Sequence, residues 1–429
     1  MLFRTPVTRH DVVVEEQAGY AELIRGNVDF RRLWIGSIVS LLGDWFNTIA
    51  LYTLILQLTG SPLALGAVFV FKMLPWGLAS PIAGVLVDRY NRRRLMIASD
   101  LLRAVVVLGF LLIDEAGDVY LLFGLIALQV VVGSVFIPAR SASVPNITIP
   151  RELLTANALM SATWSVMLAL GAALGGFATE WLGTQAVFVI DSFTYLVSAV
   201  FIYRTTIPQN TDAAPGPVLR TALREVGDGW RFLNATPRVG RIALAKATWA
   251  VAGGALVYAM TLLGGEIEPG AMAAGIGVLF MARGLGTGIG PVVARSVFKD
   301  QERWPFVLGA FIVSSGVAYA VVGLIGWTLT VVFVLVMLAH ATSGANWVLA
   351  TVLLQKRTED RYRGRVFATE WLLVMVADTV SILAASALLE TGLFDLRRCF
   401  QVFALLQILC GVLWIVFIVP KEREEVVET

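Results

Sequence analysis

Charge is what this chain has least of: 15% of its 429 residues are charged, against 57% hydrophobic. A soluble protein of this length would carry roughly 25% charged residues to cover its surface. With a mean hydropathy of +0.77, the shortage excludes a soluble globular chain and predicts a polytopic membrane protein. Histidine and cysteine are equally scarce, at two each. The histidines stand far apart and both cysteines fall in one apolar run, so no metal-ligand cluster is written in the chain. Cys399 and Cys410 are separated by about 16 Å along a helix, too far for a disulfide. The five lysines, Lys72, Lys246, Lys299, Lys356 and Lys421, never follow a glycine. The phosphate-binding Gly-Lys-Ser/Thr element is therefore missing, and ATP hydrolysis by this chain is excluded as its driving force. No nucleophile–base arrangement, cofactor site or nucleic-acid partner is expected, and an enzyme is not. Residues 1–30 mix Arg9, Asp11, Glu15, Glu16 and Arg25 without an apolar core, so no signal peptide is expected in them.

What the chain does have is apolar runs of helical length. They fall near 33–58, 64–88, 95–113, 119–139, 157–182 and 185–204, then near 241–264, 271–295, 304–325, 328–355, 366–389 and 396–419. These predict an all-α membrane protein of twelve spans in two six-helix bundles, 31–204 and 241–420. A segment 1–30, a linker 205–240 and a tail 421–429 flank them. Lysine and arginine gather in the loops after even-numbered spans, as in Arg89, Arg92, Arg93 and Arg94. Loops after odd-numbered spans carry Asp114, Glu115, Asp118, Glu180, Glu266 and Glu268 instead. Only Arg397 and Arg398, after span 11, depart from the alternation. The positive-inside rule then predicts that both termini and the linker are cytoplasmic. Within the linker, Leu219, Leu223, Val226, Trp230 and Leu233 form one stripe with Arg220, Arg224 and Arg231 off it, an amphipathic helix lying on the inner leaflet.

The two halves echo each other, since Gly84-x4-Arg89 after span 2 returns as Gly290-x4-Arg295 after span 8, with Ala294 where Asp88 stands. Many secondary transporters are built from such repeats, with the substrate site between them. The loop Gly84-x3-Asp88-Arg89-x2-Arg92-Arg93 resembles the signature loop of the major facilitator superfamily. Asn91 takes the place of that family's turn glycine, and asparagine tolerates a left-handed turn best after glycine. Ser40-Leu41-Leu42-Gly43-Asp44-Trp45, Phe136-Ile137-Pro138-Ala139-Arg140, Leu154-Thr155-Ala156-Asn157-Ala158 and Arg363-Gly364-Arg365-Val366-Phe367 resemble a bacterial branch of enterobactin-exporter-like and macrolide-efflux-like proteins. The resemblance covers about residues 28–420. It implies a monomeric, proton-coupled exporter of an amphipathic small molecule in a bacterial inner membrane, surrounded by membrane lipids. Two elements of drug–proton antiporters are absent: the proline of Gly-Pro-x-x-Gly-Gly in span 5, and an arginine inside span 4. An uncoupled facilitator or lipid flippase, or a non-transporting sensor, stays open beside the antiporter.

Ionisable groups inside a membrane are expensive, so they face a cavity or a partner. Five sit at mid-span: Asp44, Lys72, Arg283, His340 and Asp378. In the architecture the resemblance implies, each can reach the central path. Asp44 is the first choice for a protonation site; the alternative is a permanent ion pair with Lys72 or Arg283. Asp378 is expected to pair with Arg283, and His340 either titrates or hydrogen-bonds between helices. Asp191 and Lys246 read as snorkelling or paired, and Arg103 as a local partner of Asp100. Gly171, Gly175 and Gly176 in span 5, with Gly284 and Gly288 in span 8, are expected where the halves meet. The signature loop should act as a latch on the cytoplasmic side, with Asp88 docked at the start of span 11 near Gly364 and Arg365.

Overall fold

A computed structural model describes residues 17–209, 217–359 and 362–422. Residues 1–16, 210–216 and 423–429, which the sequence reading assigned to the amino-terminal segment, the linker and the tail, lie outside them. Among the described residues eleven helices are long and apolar enough to cross a membrane. One of them, Pro150–Tyr203, runs for 54 residues and is interrupted at Gly183, whose φ of 82° belongs to the left-handed region. Before the break the chain runs parallel to the first span, Val28–Thr59: Trp34 donates to Thr163, and Gly171 and Gly175 lie against Trp45 and Phe46. After it the chain runs antiparallel, with Gly43 against Asp191 and Thr194 and Gly36 against Ser198 and Phe201. The chain therefore reverses at Gly183, and 150–182 and 184–203 are the fifth and sixth of twelve crossings.

The remaining spans are the second, Pro62–Arg89; the third, Arg92–Leu112; the fourth, Ala116–Ile147; the seventh, Pro237–Ile267; and the eighth, Met272–Val297. The ninth, Gln301–Leu324, tenth, Leu329–Arg357, eleventh, Tyr362–Glu390, and twelfth, Leu396–Glu422, complete the second half. Polar residues set their starts. Ser61 accepts from the Ala64 N–H at 3.0 Å with Pro62 at the first helical position. Asn91 does the same for the third span, accepting from Arg94 N–H at 3.0 Å. Its φ is −62°, so asparagine serves here as a cap and not as the left-handed turn residue expected from the sequence. Asp395 caps the twelfth span through Arg398 N–H at 2.8 Å, while Arg397 donates to the Ile325 carbonyl at 2.7 Å and lies over the Trp327 ring. The two arginines that break the charge alternation thus sit where the ninth and twelfth spans are closed off.

Between the halves, the second span packs on the eleventh and the fifth on the eighth. Gly66 meets Ser386 on the first seam; Gly176 meets Ala273 and Gly277 on the second. The linker helix, Val218–Ala235, rests on the second and eleventh spans. Its expected single stripe is divided in two: Ala222, Gly229 and Leu233 are buried, whereas Leu219, Leu223 and Trp230 are 58%, 65% and 50% exposed. Gly229 lies close against Arg365 and Thr369 of the eleventh span. Leu219, Leu223 and Trp230 are left for a lipid surface.

Candidate functional site

A cavity in two chambers, of about 420 and 190 Å³, lies between the halves and within the first half. The chambers share Leu41, Asp44, Thr48, Lys72 and Ile137. On the side away from the linker the halves are tied together. Tyr258 donates to the Pro62 carbonyl at 2.7 Å, Ser61 and Leu63 N–H donate to Glu390 at 2.7 and 3.0 Å, and Ala273 N–H donates to Glu180 at 3.2 Å. Below these bonds Tyr52 stacks on Phe69 at 4.5 Å, and Phe69 meets Tyr258 edge-on at 5.9 Å. The cavity is sealed there, and it extends past Ile137 and Arg140 toward the linker side.

The charged centre of the cavity is built by three spans of the first half. Tyr195, from the sixth, donates to Asp44, whose side chain is 36% exposed. Arg103, from the third, places Nη1 3.6 Å from Asp44 and Nη2 2.5 Å from Asp100. Its guanidinium lies 4.2 Å from the Tyr195 ring centre and 4.9 Å from that of Phe136. The cation beside Asp44 is therefore Arg103, not Lys72 or Arg283 as the sequence suggested. Arg103 is more than the local partner of Asp100 because Gly133, with no side chain, lets its stem cross the face of the fourth span. That missing side chain was the available signal. Lys72 lines both chambers and donates to Thr48 at 2.9 Å. Asp191 is fully buried behind the first span, against Gly43 and Thr194.

In the second half, Arg283 and Asp378 line the larger chamber without forming an ion pair. Asp378 packs against Gly254 with its Oδ1 buried and without a donor, and Arg283 sits 5.6 Å from the Phe280 ring centre with its Nε buried and without an acceptor among the described residues. The expected Arg283–Asp378 pair is thus not made. His340 is not brought to the cavity wall. It is 1% exposed, bonded to Tyr319 at 2.8 Å and Ser343 at 3.2 Å, which is the helix-to-helix bonding role. Sequence reasoning missed Glu370, whose carboxylate lies 3.0 Å from Lys246; the two are 0% and 2% exposed. A lone glutamate near a span end carries no mark of a partner 124 positions away.

The signature loop mostly closes helix ends inside its own half. Arg92 donates to the Ala142 carbonyl at 2.7 Å and to Asn146 at 2.9 Å; Arg93 donates to the Tyr203 carbonyl at 2.5 Å. Cations at helix carboxyl ends are favoured by the helix dipole. Arg89 reaches Thr221 on the linker helix at 3.5 Å, and Arg365 of the eleventh span reaches Asp228 on the same helix at 3.6 Å. Asp88 is exposed and makes no side-chain bond among the described residues. A Cβ at Gly84 would meet nothing within 4 Å. Of the expected interface glycines, Gly176 meets the eighth span, and Gly284 and Gly288 meet Ala169 and Ser165 of the fifth. Gly171 and Gly175 do not: the fifth span is wedged between the first and the eighth, and these two face Trp45 and Phe46.

Twelve crossings in two halves around a charged central cavity define a secondary-transporter architecture. The family model of the Major Facilitator Superfamily matches residues 33–369, and the chain belongs to that superfamily. It is a multi-pass membrane transporter and not an enzyme. Its relatives are bacterial. The uncharacterized MFS-type transporter YfiS of Bacillus subtilis (strain 168) is 27% identical over 50% of this chain; the match spans about half, 51%, of YfiS. The putative bacilysin exporter BacE of Bacillus subtilis is 24% identical over 84% of this chain and 92% of its own, and macrolide efflux protein A of Streptococcus pyogenes is 22% identical over 83% and 88%. The crystal structure of a POT family transporter in complex with 5-aminolevulinic acid shares the fold, with a TM-score of 0.75 at 9% identity over 95% of this chain and 98% of that one.

Proposed function

We propose that the protein is a proton-coupled exporter of an amphipathic small molecule, working as a monomer by alternating access in a bacterial inner membrane. Both termini and the linker lie in the cytoplasm on this reading, which rests on the alternation of basic loops. Export is supported by the names of BacE and macrolide efflux protein A. The observation that carries coupling is Asp44, a carboxylate open to the cavity and in contact with two other spans. Ionised Asp44 accepts from Tyr195 and attracts Arg103. A proton on Asp44 cancels that attraction and leaves Arg103 to Asp100, so each proton changes the contacts among the first, third and sixth spans. Linking that change to the rocking of the halves exchanges protons for substrate.

Asp44→Asn is expected to lose uphill export in proteoliposomes while keeping substrate exchange. Dissipating the proton gradient of inside-out vesicles is expected to stop export by the wild type, and export that continues unchanged would refute coupling. The uncoupled facilitator or flippase is favoured by one observation: span 5 reads Gly171-Ala172-Ala173-Leu174-Gly175-Gly176, without the proline of the antiporters. Equilibration of substrate without uphill accumulation, by the wild type and by Asp44→Asn alike, would select it.

For the signature loop we assign Asp88 to closure of the linker side. Rocking of the halves would carry it to the amino end of the eleventh span near Gly364 and Arg365, where the helix dipole attracts a carboxylate. In the present conformation the linker helix bridges these two elements instead. Unchanged transport by Asp88→Asn would overturn the assignment.

A further inference from the structure

The cavity wall is unevenly charged. Four cations line it, Lys72, Arg103, Arg140 and Arg283, against two carboxylates, Asp44 and Asp378. Asp44 is engaged by Tyr195 and Arg103, and Arg103 has Asp100 in addition. Asp378 packs against Gly254 with its Oδ1 buried and without a donor among the described residues, so it is the one unengaged acid on the wall. Asp191, the other acid nearby, is buried behind the first span and does not line the cavity. Lys72, Arg140 and Arg283 are left without an ion-pair partner among the described residues; Lys72 has only the neutral Thr48, and the buried Nε of Arg283 has no acceptor. Cations facing a partly dry space without a counter-charge are costly, and a diffusible anion with several acceptor oxygens removes that cost.

The larger chamber is otherwise walled by rings, those of Trp45, Tyr52, Phe69, Trp164, Trp249 and Phe280, the last of them centred 5.6 Å from the Arg283 guanidinium. Its ≈ 420 Å³ falls within the range of small-molecule sites. We propose that the transported molecule is an organic anion whose acidic group (carboxylate, sulfonate or phosphate) sits between Lys72 and Arg283, with its apolar body on this aromatic wall. Arg140, in the smaller chamber, stands on the route from the linker side and draws the anion inward. The proposal rests on the reading of this cavity as the transport path.

Two probes with one fluorophore and opposite charge test it: N-dansylglycine, an anion, and dansylcadaverine, a cation. The full-length protein, in nanodiscs of neutral phosphatidylcholine, carries Leu41→Cys as a reporter thiol in both chambers, with Cys399→Ala and Cys410→Ala. The anion is expected to bind at least about tenfold more tightly than the cation and to shield the thiol at position 41 from maleimide. Lys72→Gln and Arg283→Gln should each abolish that preference by weakening the anion alone, whereas Lys72→Arg and Arg283→Lys, which keep the charge, should retain it. A cation bound as tightly as the anion, or an unchanged anion affinity in both glutamine variants, overturns the proposal and leaves the path reading standing. Failure of both probes to shield the thiol at saturation overturns the path reading, and the proposal with it.

Discussion

At the scale of single residues, the buried charges fall into two kinds. Lys246 and Glu370 form a closed pair, with the lysine also 4.8 Å from the Trp347 ring centre and neither group on the cavity wall. Removing one partner of such a pair strands the other in a dry site, at a cost of about 3–5 kcal/mol, while replacing both with apolar residues of similar volume is often neutral. Lys246→Ala is therefore expected to lower the thermal unfolding temperature in detergent sharply, and Lys246→Met with Glu370→Met to recover most of the loss. Equal losses in the single and double variants would argue against this account. Asp44 is the opposite kind: its side chain is open to the cavity, and its partners come from two different spans. Lys246 and Asp44 were visible in the sequence as misfits in apolar runs, but their partners were not, because Glu370 lies 124 positions from Lys246, and Arg103 and Tyr195 lie 59 and 151 positions from Asp44 along the chain.

Among elements, the crossing of the fifth and eighth spans is the tightest contact between the halves. A Cβ at Gly277 would lie 2.6 Å from the Ala172 carbonyl oxygen and 3.0 Å from the Gly176 Cα, both backbone atoms that cannot swing aside. Overpacking of this kind costs about 1–3 kcal/mol. Gly277→Val is expected to be inserted in the membrane yet to transport at a small fraction of the normal rate, whereas Gly124→Ala, where a Cβ meets nothing within 4 Å, should transport normally. Transport rates in vesicles normalised to protein content decide between them. The small-residue pattern in spans 5 and 8 announced a close crossing. The choice of Gly277 over Gly171 and Gly175 depends on which face of the fifth span turns to the eighth, and two neighbours compete for those faces.

For the whole molecule, the inter-half bonds lie on the side away from the linker, where Glu390 accepts from Ser61 and from Leu63 N–H. Glu390→Ala removes both acceptances, each charge-assisted, and is expected to shift the equilibrium between the two conformations by about 1–3 kcal/mol, or roughly 5- to 150-fold, toward the state open on that side. Distances between spin labels on the two halves would report the shift, and an unchanged distance distribution would show that the bonds do not hold the closure. The linker helix joins the same balance from the other side, since its contacts to Arg89 and Arg365 span both halves. Rocking toward the closed linker side must rearrange it.

Twelve crossings, two halves and the alternation of basic and acidic loops were determined by the sequence alone. The reason is physical: charge facing hydrocarbon is costly, so the loops between the apolar runs hold most of the ionisable residues, and their sign alternates along one dimension. Facing and pairing were decided only by the tertiary structure. Helices that are apolar on every side give no periodic signal of which face meets a neighbour, so the linking of Asp44 to Arg103, the retreat of His340 from the cavity and the closure of Lys246 on Glu370 emerged only once the spans were packed.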